Sequence, residues 1–151
     1  MSEGDSYCGS EIVVADWRGD WIGIGVAQML AQEGRHVRLL TSGNAPGISL
    51  PATVRDQIVG ELARLNVEIT PNARLFGVDD DTAYFQHTMT EEAILVEGVE
   101  TLVLALSHRS RDSLSTELGD LGMDCHVIGD ALSPRTAEEA VLEGLKVGAS
   151  I

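Results

Sequence analysis

Glycines and a carboxylate gather directly after the first apolar run of the chain. Residues 12–14 (IVV) are followed within a few positions by Gly19, Asp20 and Gly23. In a turn that joins a strand to a helix, glycines let the backbone approach a phosphate, and the free N–H groups of the helix N-terminus bind the anion. These residue types therefore indicate binding of a nucleotide pyrophosphate at this turn.

The glycine spacing differs from the dinucleotide fingerprint. That fingerprint requires G-x-G-x-x-G, whereas the pattern that begins at Gly19 is G-x-x-x-G-x-G. Asp20 is placed to cap a helix that begins near Trp21, because a carboxylate at the N-cap accepts hydrogen bonds from the free N–H groups. The same carboxylate would occupy the place of an incoming phosphate, so capping and phosphate binding compete.

The next apolar run also lacks a feature of the fingerprint. It ends in Thr41 and Ser42, where an acidic residue that holds the ribose would stand. Tight NAD binding is therefore not expected. Trp17 and Trp21 bracket the same turn, and their indoles could stack on an adenine, fill an interface or cover the core. We favour an interface or a core position over adenine stacking.

A second group of candidates follows the apolar run at residues 99–106. His108 and Arg109 come at the carboxyl end of this predicted strand, the edge at which open α/β sheets bind ligands. Arg109 could meet a phosphate, a partner carboxylate or solvent. The four histidines fall on different predicted elements, and no serine or cysteine lies in a nucleophile elbow. No catalytic group is therefore predicted. The acidic triplet 79–81 is interpreted as an exposed turn, and it is not predicted to bind a metal.

The elements that position these residues form a β-α-β pattern over 11–41. We predict an α/β, Rossmann-like three-layer domain with a mainly parallel sheet and an inserted antiparallel β-meander. Residues 1–10 are expected to be a flexible lead-in, and 11–151 a single domain. The further predicted helices are 53–65, 112–121 and 133–147, and the further predicted strands are 67–69, 74–78, 82–86, 93–96, 99–106 and 125–128.

Hydrophobic spacing also predicts the core. The first helix should pack on the sheet through a stripe of large apolar residues, which are Ile22, Val26, Met29 and Leu30. Ser133 should cap the last helix, with Pro134 as its first residue. The strand residues expected to be buried between helical layers are Val13, Val14, Leu39, Val103, Leu104, Val127 and Ile128.

Composition restricts the class of partner. The chain has 24 acidic and 10 basic residues, a net charge of −14, so nucleic acid is not an expected partner. Cys8 and Cys125 lack metal-ligand spacing and are expected to be reduced thiols in the cytoplasm, with Cys125 in a buried strand. The N-terminus lacks the pattern of a signal peptide, and no apolar run approaches the length of a membrane span. We therefore expect a soluble, cytoplasmic protein.

Three segments carry a resemblance to a known family. They are IVVADWRGDWIGIGVAQMLAQEGRHVRLLT, EGVETLVLALSHR and HVIGDALSPRTAEEAVLEG. Together they resemble the C-terminal nucleotide-binding region of the trimethylamine dehydrogenase and 2,4-dienoyl-CoA reductase group, which is related to old yellow enzyme. In that group an N-terminal flavin barrel with an iron–sulfur cluster performs the substrate chemistry. The resemblance implies FAD-type and NAD-type domains, and it covers nearly the whole chain.

The resemblance also implies roles for individual residues. Gly129 and Asp130 match the returning FAD-type segment, in which the Asp reaches a ribityl hydroxyl and the following helix N-terminus faces the pyrophosphate. The turn Gly19–Gly25 resembles the NAD-type turn in an eroded form. Ser107 stands where the family pattern A-L-G-x-R has glycine. The barrel, the cluster cysteines and the first FAD-type segment are not found in the sequence.

Three classes of function follow from these patterns. The first is a small subunit or split-off nucleotide-binding domain of a multisubunit flavoprotein dehydrogenase or reductase, which serves assembly or electron transfer more than substrate chemistry. Its partner would be a larger flavin and iron–sulfur barrel subunit, or a second copy of the chain, and FAD or ADP would be shared with that partner. The alternative is a stand-alone module that binds ADP, NAD or FAD. A free-standing NAD(P)-dependent enzyme is the least favoured.

Overall fold

A computed structural model describes residues 8–151, so most of the predicted lead-in lies outside the described residues. The chain divides into two compact units, Met1–Ser107 and His108–Ile151. Whether 11–151 acts as a single domain stays a prediction. No helix among the described residues is long and apolar enough to cross a membrane.

The first unit contains a four-stranded parallel sheet. In chain order its elements are β1 (Glu11–Asp16), α1 (Trp21–Gln32), β2 (His36–Thr41), α2 (Ala52–Arg64), β3 (Glu68–Thr70) and β7 (Thr101–Ala105). The strand order is β3-β2-β1-β7. Because β1 is central, Val14 is paired with Leu39 on one side and with Val103 on the other. This arrangement confirms the predicted α/β, Rossmann-like fold.

The inserted meander is also confirmed. It consists of β4 (Ala73–Asp79), β5 (Thr82–His87) and β6 (Ala93–Val96), paired antiparallel in that order. A bulge interrupts the register of β4 and β5 between Leu75 and Gly77. Phe85 and Ala83 of the central strand β5 are buried, and they pack with Val13 and Leu40 of the parallel sheet. The meander therefore covers one face of that sheet.

Helix α1 packs on the sheet through a different stripe from the one predicted. Leu30 is buried as expected, but Ile22 and Met29 are about half exposed, at 45% and 51%. The buried residues of α1 are Gly23, Ile24, Ala27 and Leu30. A Cβ atom at Gly23 would lie 2.5 Å from the Cγ of Asp16. Because the helix and the strand approach so closely, the small residues Gly23 and Ala27 face the sheet, whereas Ile22 and Met29 of the predicted stripe do not.

Strand β7 is less buried than predicted. It lies at the edge of the sheet, where only β1 pairs with it among the described residues. Val103 is half-buried and Leu104 is 57% exposed, so the prediction that both are buried was wrong. An edge strand lacks a neighbour on one side, and its side chains are correspondingly less covered.

The second unit holds helices α3 (Ser113–Asp120) and α4 (Ala137–Gly148) and a short 3-10 turn at Gly129–Ala131. The strand predicted at 125–128 is absent from this unit, Cys125 is exposed, and Val127 and Ile128 are only half-buried. A strand needs a neighbour for its N–H and C=O groups, and no residue of 108–151 forms one. The apolar pattern of residues 125–128 was therefore not enough to predict a strand.

The last helix also starts later than predicted. Its N-cap is Thr136, not Ser133. The Glu139 carboxylate accepts a hydrogen bond of 3.0 Å from the Thr136 N–H, and the Thr136 side chain accepts one from the Glu139 N–H, which together form a capping box. This local pairing, which the sequence T-A-E-E supplies, outweighs the preference of Pro134 for a first helical position.

Candidate functional site

The turn after β1 is built around Asp16, which is almost completely buried at the end of the strand. Its Oδ1 accepts a hydrogen bond of 3.0 Å from the backbone N–H of Gly19. Gly19 has a φ of 63°, and a Cβ atom there would lie 2.7 Å from the Cγ2 of Ile48. Both the backbone conformation and the lack of space therefore require glycine at this position.

Asp20 caps α1, as the sequence predicts. Its Oδ1 accepts a hydrogen bond of 3.0 Å from the N–H of Ile22, and its Oδ2 accepts one of 2.7 Å from the Nε of Arg18. The helix N-terminus therefore already holds a carboxylate, and that carboxylate is paired with a guanidinium. A phosphate at this place would have to displace Asp20.

The position of Gly23 aligns this turn with the dinucleotide fingerprint. The third glycine of the fingerprint allows close packing of helix on strand, and Gly23 has that role because its hydrogen faces Asp16. Counting back by the fingerprint spacing places Asp20 at the second glycine and Arg18 at the first. The second glycine lets the backbone approach the pyrophosphate, and a side chain replaces it here. The residues of this turn do not fit a tightly bound NAD.

Two polar side chains at the ends of β1 and β2 are sealed from solvent. Asp16 and Thr41 are register partners on neighbouring strands, with exposures of 2% and 0%. Within residues 8–151, neither the Oδ2 of Asp16 nor the Oγ1 of Thr41 has a hydrogen-bond partner. Burial raises the pKa of Asp16, and the nearby charge of Asp20 raises it further, although the Gly19 N–H acts in the opposite direction. The Thr41 side chain is too deeply buried to contact a ligand on the surface.

Ser42 and the two tryptophans lie nearer the surface. The Ser42 hydroxyl donates a hydrogen bond of 2.8 Å to the carbonyl oxygen of Trp17, which ties the loop after β2 to the turn after β1. Trp17 and Trp21 are 48% and 55% exposed, so neither is a core residue. The guanidinium of Arg74 lies 6.0 Å from the centroid of the Trp17 ring, a cation–π distance. An interface role and adenine stacking remain as interpretations of the indoles.

The second unit contains an open cleft of about 340 Å³. His108 and Arg109, from the end of the predicted strand, line it together with Asp130. Arg111 also lines the cleft, although it is not among the candidates predicted from the sequence. The sequence carries no periodic signal for Arg111, because it follows β7 in a segment without regular secondary structure. The cleft combines two permanent cations with one exposed carboxylate.

The Gly129–Asp130 turn is fixed on α4. Gly129 has a φ of 61°, and a Cβ atom there would lie 3.3 Å from the Cβ of Ala140. Its N–H donates a hydrogen bond of 2.7 Å to Glu143, which also pairs with Arg135. These contacts hold the pKa of Glu143 below its ordinary value, the Gly129 N–H being the main cause. Gly129 is thus constrained on both sides, and Asp130 is left exposed in the cleft.

Charge at the start of α4 differs from the expectation for a phosphate site. The first turn of this helix carries Glu138 and Glu139. Carboxylates there are favourable for the helix dipole but repel a phosphate. Arg109 and Arg111 are therefore better suited than the helix N-terminus to meet a phosphate. Residues 8–151 contain no cluster of three metal-ligating side chains.

Comparison with known proteins shows the same fold in much longer oxidoreductases. No family model matches the chain. Histamine dehydrogenase from Rhizobium sp. 4-9 aligns with a TM-score of 0.79 and 21% identity over 93% of this chain and 23% of its own. The 2-naphthoyl-CoA reductase in complex with 2-naphthoyl-CoA aligns with a TM-score of 0.79 and 25% identity, over 99% of this chain and 22% of its own. A HOCl-induced flavoprotein disulfide reductase from Escherichia coli aligns with a TM-score of 0.58 and 17% identity, over 89% of this chain and 34% of its own.

The chain thus spans less than a quarter of the length of the first two structures. Their names are those of a dehydrogenase and a reductase, and the third is named as a flavoprotein. The likeness agrees with the oxidoreductase resemblance of the sequence and shows that the chain shares a Rossmann-like fold with these enzymes.

Proposed function

We propose that this chain is the nucleotide-binding-type part of a flavoprotein dehydrogenase or reductase, and that a companion completes its flavin site. The fold likeness supports the class, since 93% and 99% of the chain align within single enzymes more than four times its length. The companion would be a larger barrel subunit with flavin and an iron–sulfur cluster, as the family resemblance implies. A second copy of the chain is the other candidate.

One observation supports the proposal, which is that the second unit has an open cleft lined by charged side chains together with exposed apolar side chains. Asp130, Arg109 and Arg111 line an open cleft, and Asp130 lies on the turn that the Gly129–Glu143 hydrogen bond fixes to α4. The large apolar side chains of the same unit are left exposed, and they are Leu114, Leu121, Met123, Leu132, Val141, Leu142, Leu145 and Ile151. A contiguous apolar patch marks an interaction site, and we infer that these side chains contribute to one.

The residues of this cleft fit part of a flavin dinucleotide. An exposed carboxylate such as Asp130 can accept a hydrogen bond from a ribityl hydroxyl, and the guanidinium groups of Arg109 and Arg111 can pair with a phosphate. The resemblance gives Asp130 the same role. Bound flavin would supply the electron transfer, and this chain would hold and orient it. FAD, or ADP at an equivalent place, is therefore the cofactor proposed, shared with the companion.

The test is purification of the native complex through an affinity tag on this chain. We expect a companion that contains flavin, whereas the chain expressed alone should retain no flavin absorption. Asp130→Ala should lower the flavin content of the complex without dissociating it. Asp124→Ala is the matched control, because Asp124 is also exposed but does not line the cleft.

Three results would contradict the proposal. A monomeric chain that keeps flavin through purification would show that no companion is needed. A complex that contains no flavin would contradict the proposal that FAD is the cofactor. Saturable, tight binding of ADP or NAD by the lone chain in calorimetry would favour the stand-alone module instead, and Asp20→Ala would show whether the turn after β1 is its site.

A further inference from the structure

One carboxylate holds the turn that carries Asp130. The Glu143 side chain on α4 accepts a hydrogen bond of 2.7 Å from the Gly129 N–H through one oxygen, and the guanidinium of Arg135 pairs with its other oxygen. Both partners lie before the start of α4. Glu143 therefore joins the helix to the two ends of the segment 129–135, and these two contacts form the Glu143 clamp.

Within this segment, hydrogen bonds tie Asp130 to Arg135. The Arg135 N–H donates one of 3.3 Å to the Oδ1 of Asp130, and the Arg135 Nε donates one of 3.2 Å to the carbonyl oxygen of Ser133. The Ser133 N–H donates one of 2.9 Å to the carbonyl oxygen of Gly129. The position of the Asp130 carboxylate thus depends on both ends of the segment, and both ends meet at Glu143.

Packing alone does not hold this turn. Gly129 is the only buried residue among 108–151, and the Cβ atom that it lacks would lie 3.3 Å from the Cβ of Ala140. Such a contact buries little surface, and glycine loses more conformational freedom on ordering than any other residue. A hydrogen bond to a charged acceptor is stronger than one between neutral groups. The bond to the Glu143 carboxylate therefore favours one conformation of the turn.

We propose that Glu143 is a positioning residue for the cleft, and that its clamp fixes Asp130 where the Asp130 carboxylate can accept a hydrogen bond from a ligand hydroxyl. The inference rests on the proposed function, because the ligand is the flavin dinucleotide proposed above. Glu143 is not among the residues that line the cleft, so its effect on binding passes through the turn. The clamp itself belongs to this chain and forms without the companion.

The first experiment tests the clamp by NMR of the ¹⁵N-labelled chain alone. The Gly129 N–H, then Arg135, and more weakly Lys146, hold the pKa of Glu143 below its ordinary value of 4.5. The Gly129 amide proton should therefore shift as the pH is lowered, with a midpoint below 4.5. Glu143→Gln should remove this titration, whereas Asp130→Asn should leave it in place. A Gly129 amide that does not titrate, or that titrates equally in Glu143→Gln, would overturn the clamp.

The second experiment measures the dissociation constant of FAD from the native complex after removal and readdition of flavin. Glu143→Leu removes both contacts and should weaken FAD binding about 10-fold, the loss of one hydrogen bond to a charged group. Glu143→Gln keeps an acceptor for the Gly129 N–H and should restore most of the affinity. Adding Glu143→Leu to Asp130→Ala should cause no further loss, because the effect passes through Asp130. Glu117→Leu, the same substitution at an exposed position of α3, is the control and should change nothing.

Circular dichroism of each variant shows whether α4 is still formed, so that a misplaced turn is not confused with a lost helix. Unchanged FAD binding by Glu143→Leu would contradict the positioning role. So would additive losses from Glu143→Leu and Asp130→Ala, because Glu143 would then act apart from Asp130. If the natural complex contains no flavin, the proposed function fails, whereas the titration of Gly129 still decides whether the clamp exists.

Discussion

The two units of this chain differ most in how they bury apolar side chains. All the buried hydrophobic residues among 8–151 lie between Ile12 and Val99, in the first unit. In the second unit Gly129 is the only buried residue. One chain therefore combines a unit with its own core and a unit whose apolar side chains remain largely in solvent. The first unit can be stabilised by its own packing, whereas burial of apolar side chains contributes little to the second.

The helices of the second unit illustrate this difference. Helices α3 and α4 have 8 and 12 residues, and neither has a buried residue. Isolated helices shorter than about 12–15 residues are marginal in water, since most helix stability in proteins comes from packing of an apolar face. Local devices such as the capping box of Thr136 and Glu139 fix where α4 begins, but they contribute much less than a packed face.

The largest expected difference in stability is between two variants, each of which truncates one leucine, one in each unit. Leu62 of α2 is completely buried, so Leu62→Ala should lower the free energy of unfolding by about 2–5 kcal/mol. Leu145 of α4 is 68% exposed, and Leu145→Ala should change it by no more than about 0.5 kcal/mol. Urea denaturation of the chain alone, followed by circular dichroism, measures both.

The same pair can break the comparison. If Leu145→Ala destabilised the lone chain as much as Leu62→Ala, the second unit would be packed in solution without a companion. Conversely, Leu145→Ala should weaken the native complex while leaving the lone chain unchanged, if α4 is covered by the companion.

The sequence predicted the two units with different success for the same reason. Strands β1 and β2 and the three meander strands were predicted within a few residues, because their partners lie in the same unit and the apolar pattern reflects real burial. Cys125–Ile128 has a similar pattern, yet it forms no strand and Cys125 is exposed. An apolar pattern predicts that a segment is buried, but it does not show which surface covers the segment.

The candidate site was predicted in a similarly uneven way. The Asp20 cap follows from a local rule, and the structure has it. Burial of Thr41 and the inward position of Gly23 depend on how closely α1 approaches β1, which no local pattern specifies. The contribution of Arg111 to the cleft depends on the path of the segment after β7, and that path carries no periodicity.

Replacement of Thr41 is expected to have a smaller effect on the free energy of unfolding. Its hydroxyl is completely buried and has no partner in the described part of the chain. Valine has the same shape without the hydroxyl, so Thr41→Val should raise the free energy of unfolding by about 1 kcal/mol. Differential scanning calorimetry tests this. A destabilised variant would contradict this prediction and would mean that the hydroxyl has a hydrogen-bond partner, such as a buried water.

The smallest expected effect is a dependence on pH, and it concerns Asp16. Burial raises the pKa of this carboxyl above its ordinary value of 3.8, with Asp20 adding to the shift. The folded chain therefore holds the proton more tightly than the unfolded chain does. Stability contributed by this group is present below the ordinary value and is lost as the pH rises through the raised pKa.

Asp16→Asn should remove that dependence. Asparagine keeps an oxygen that can accept the Gly19 N–H but carries no charge, so the variant should gain stability relative to the natural chain as the pH increases from about 4 to about 7. Urea denaturation of both proteins at each pH gives the difference, in which the titration of other groups, His36 included, cancels. Parallel curves would show that Asp16 is ionised at no cost, and hence that the end of β1 is open to water. In that case the turn would be accessible to a ligand, and the distinction between the packed first unit and the open second unit would be weaker at this place.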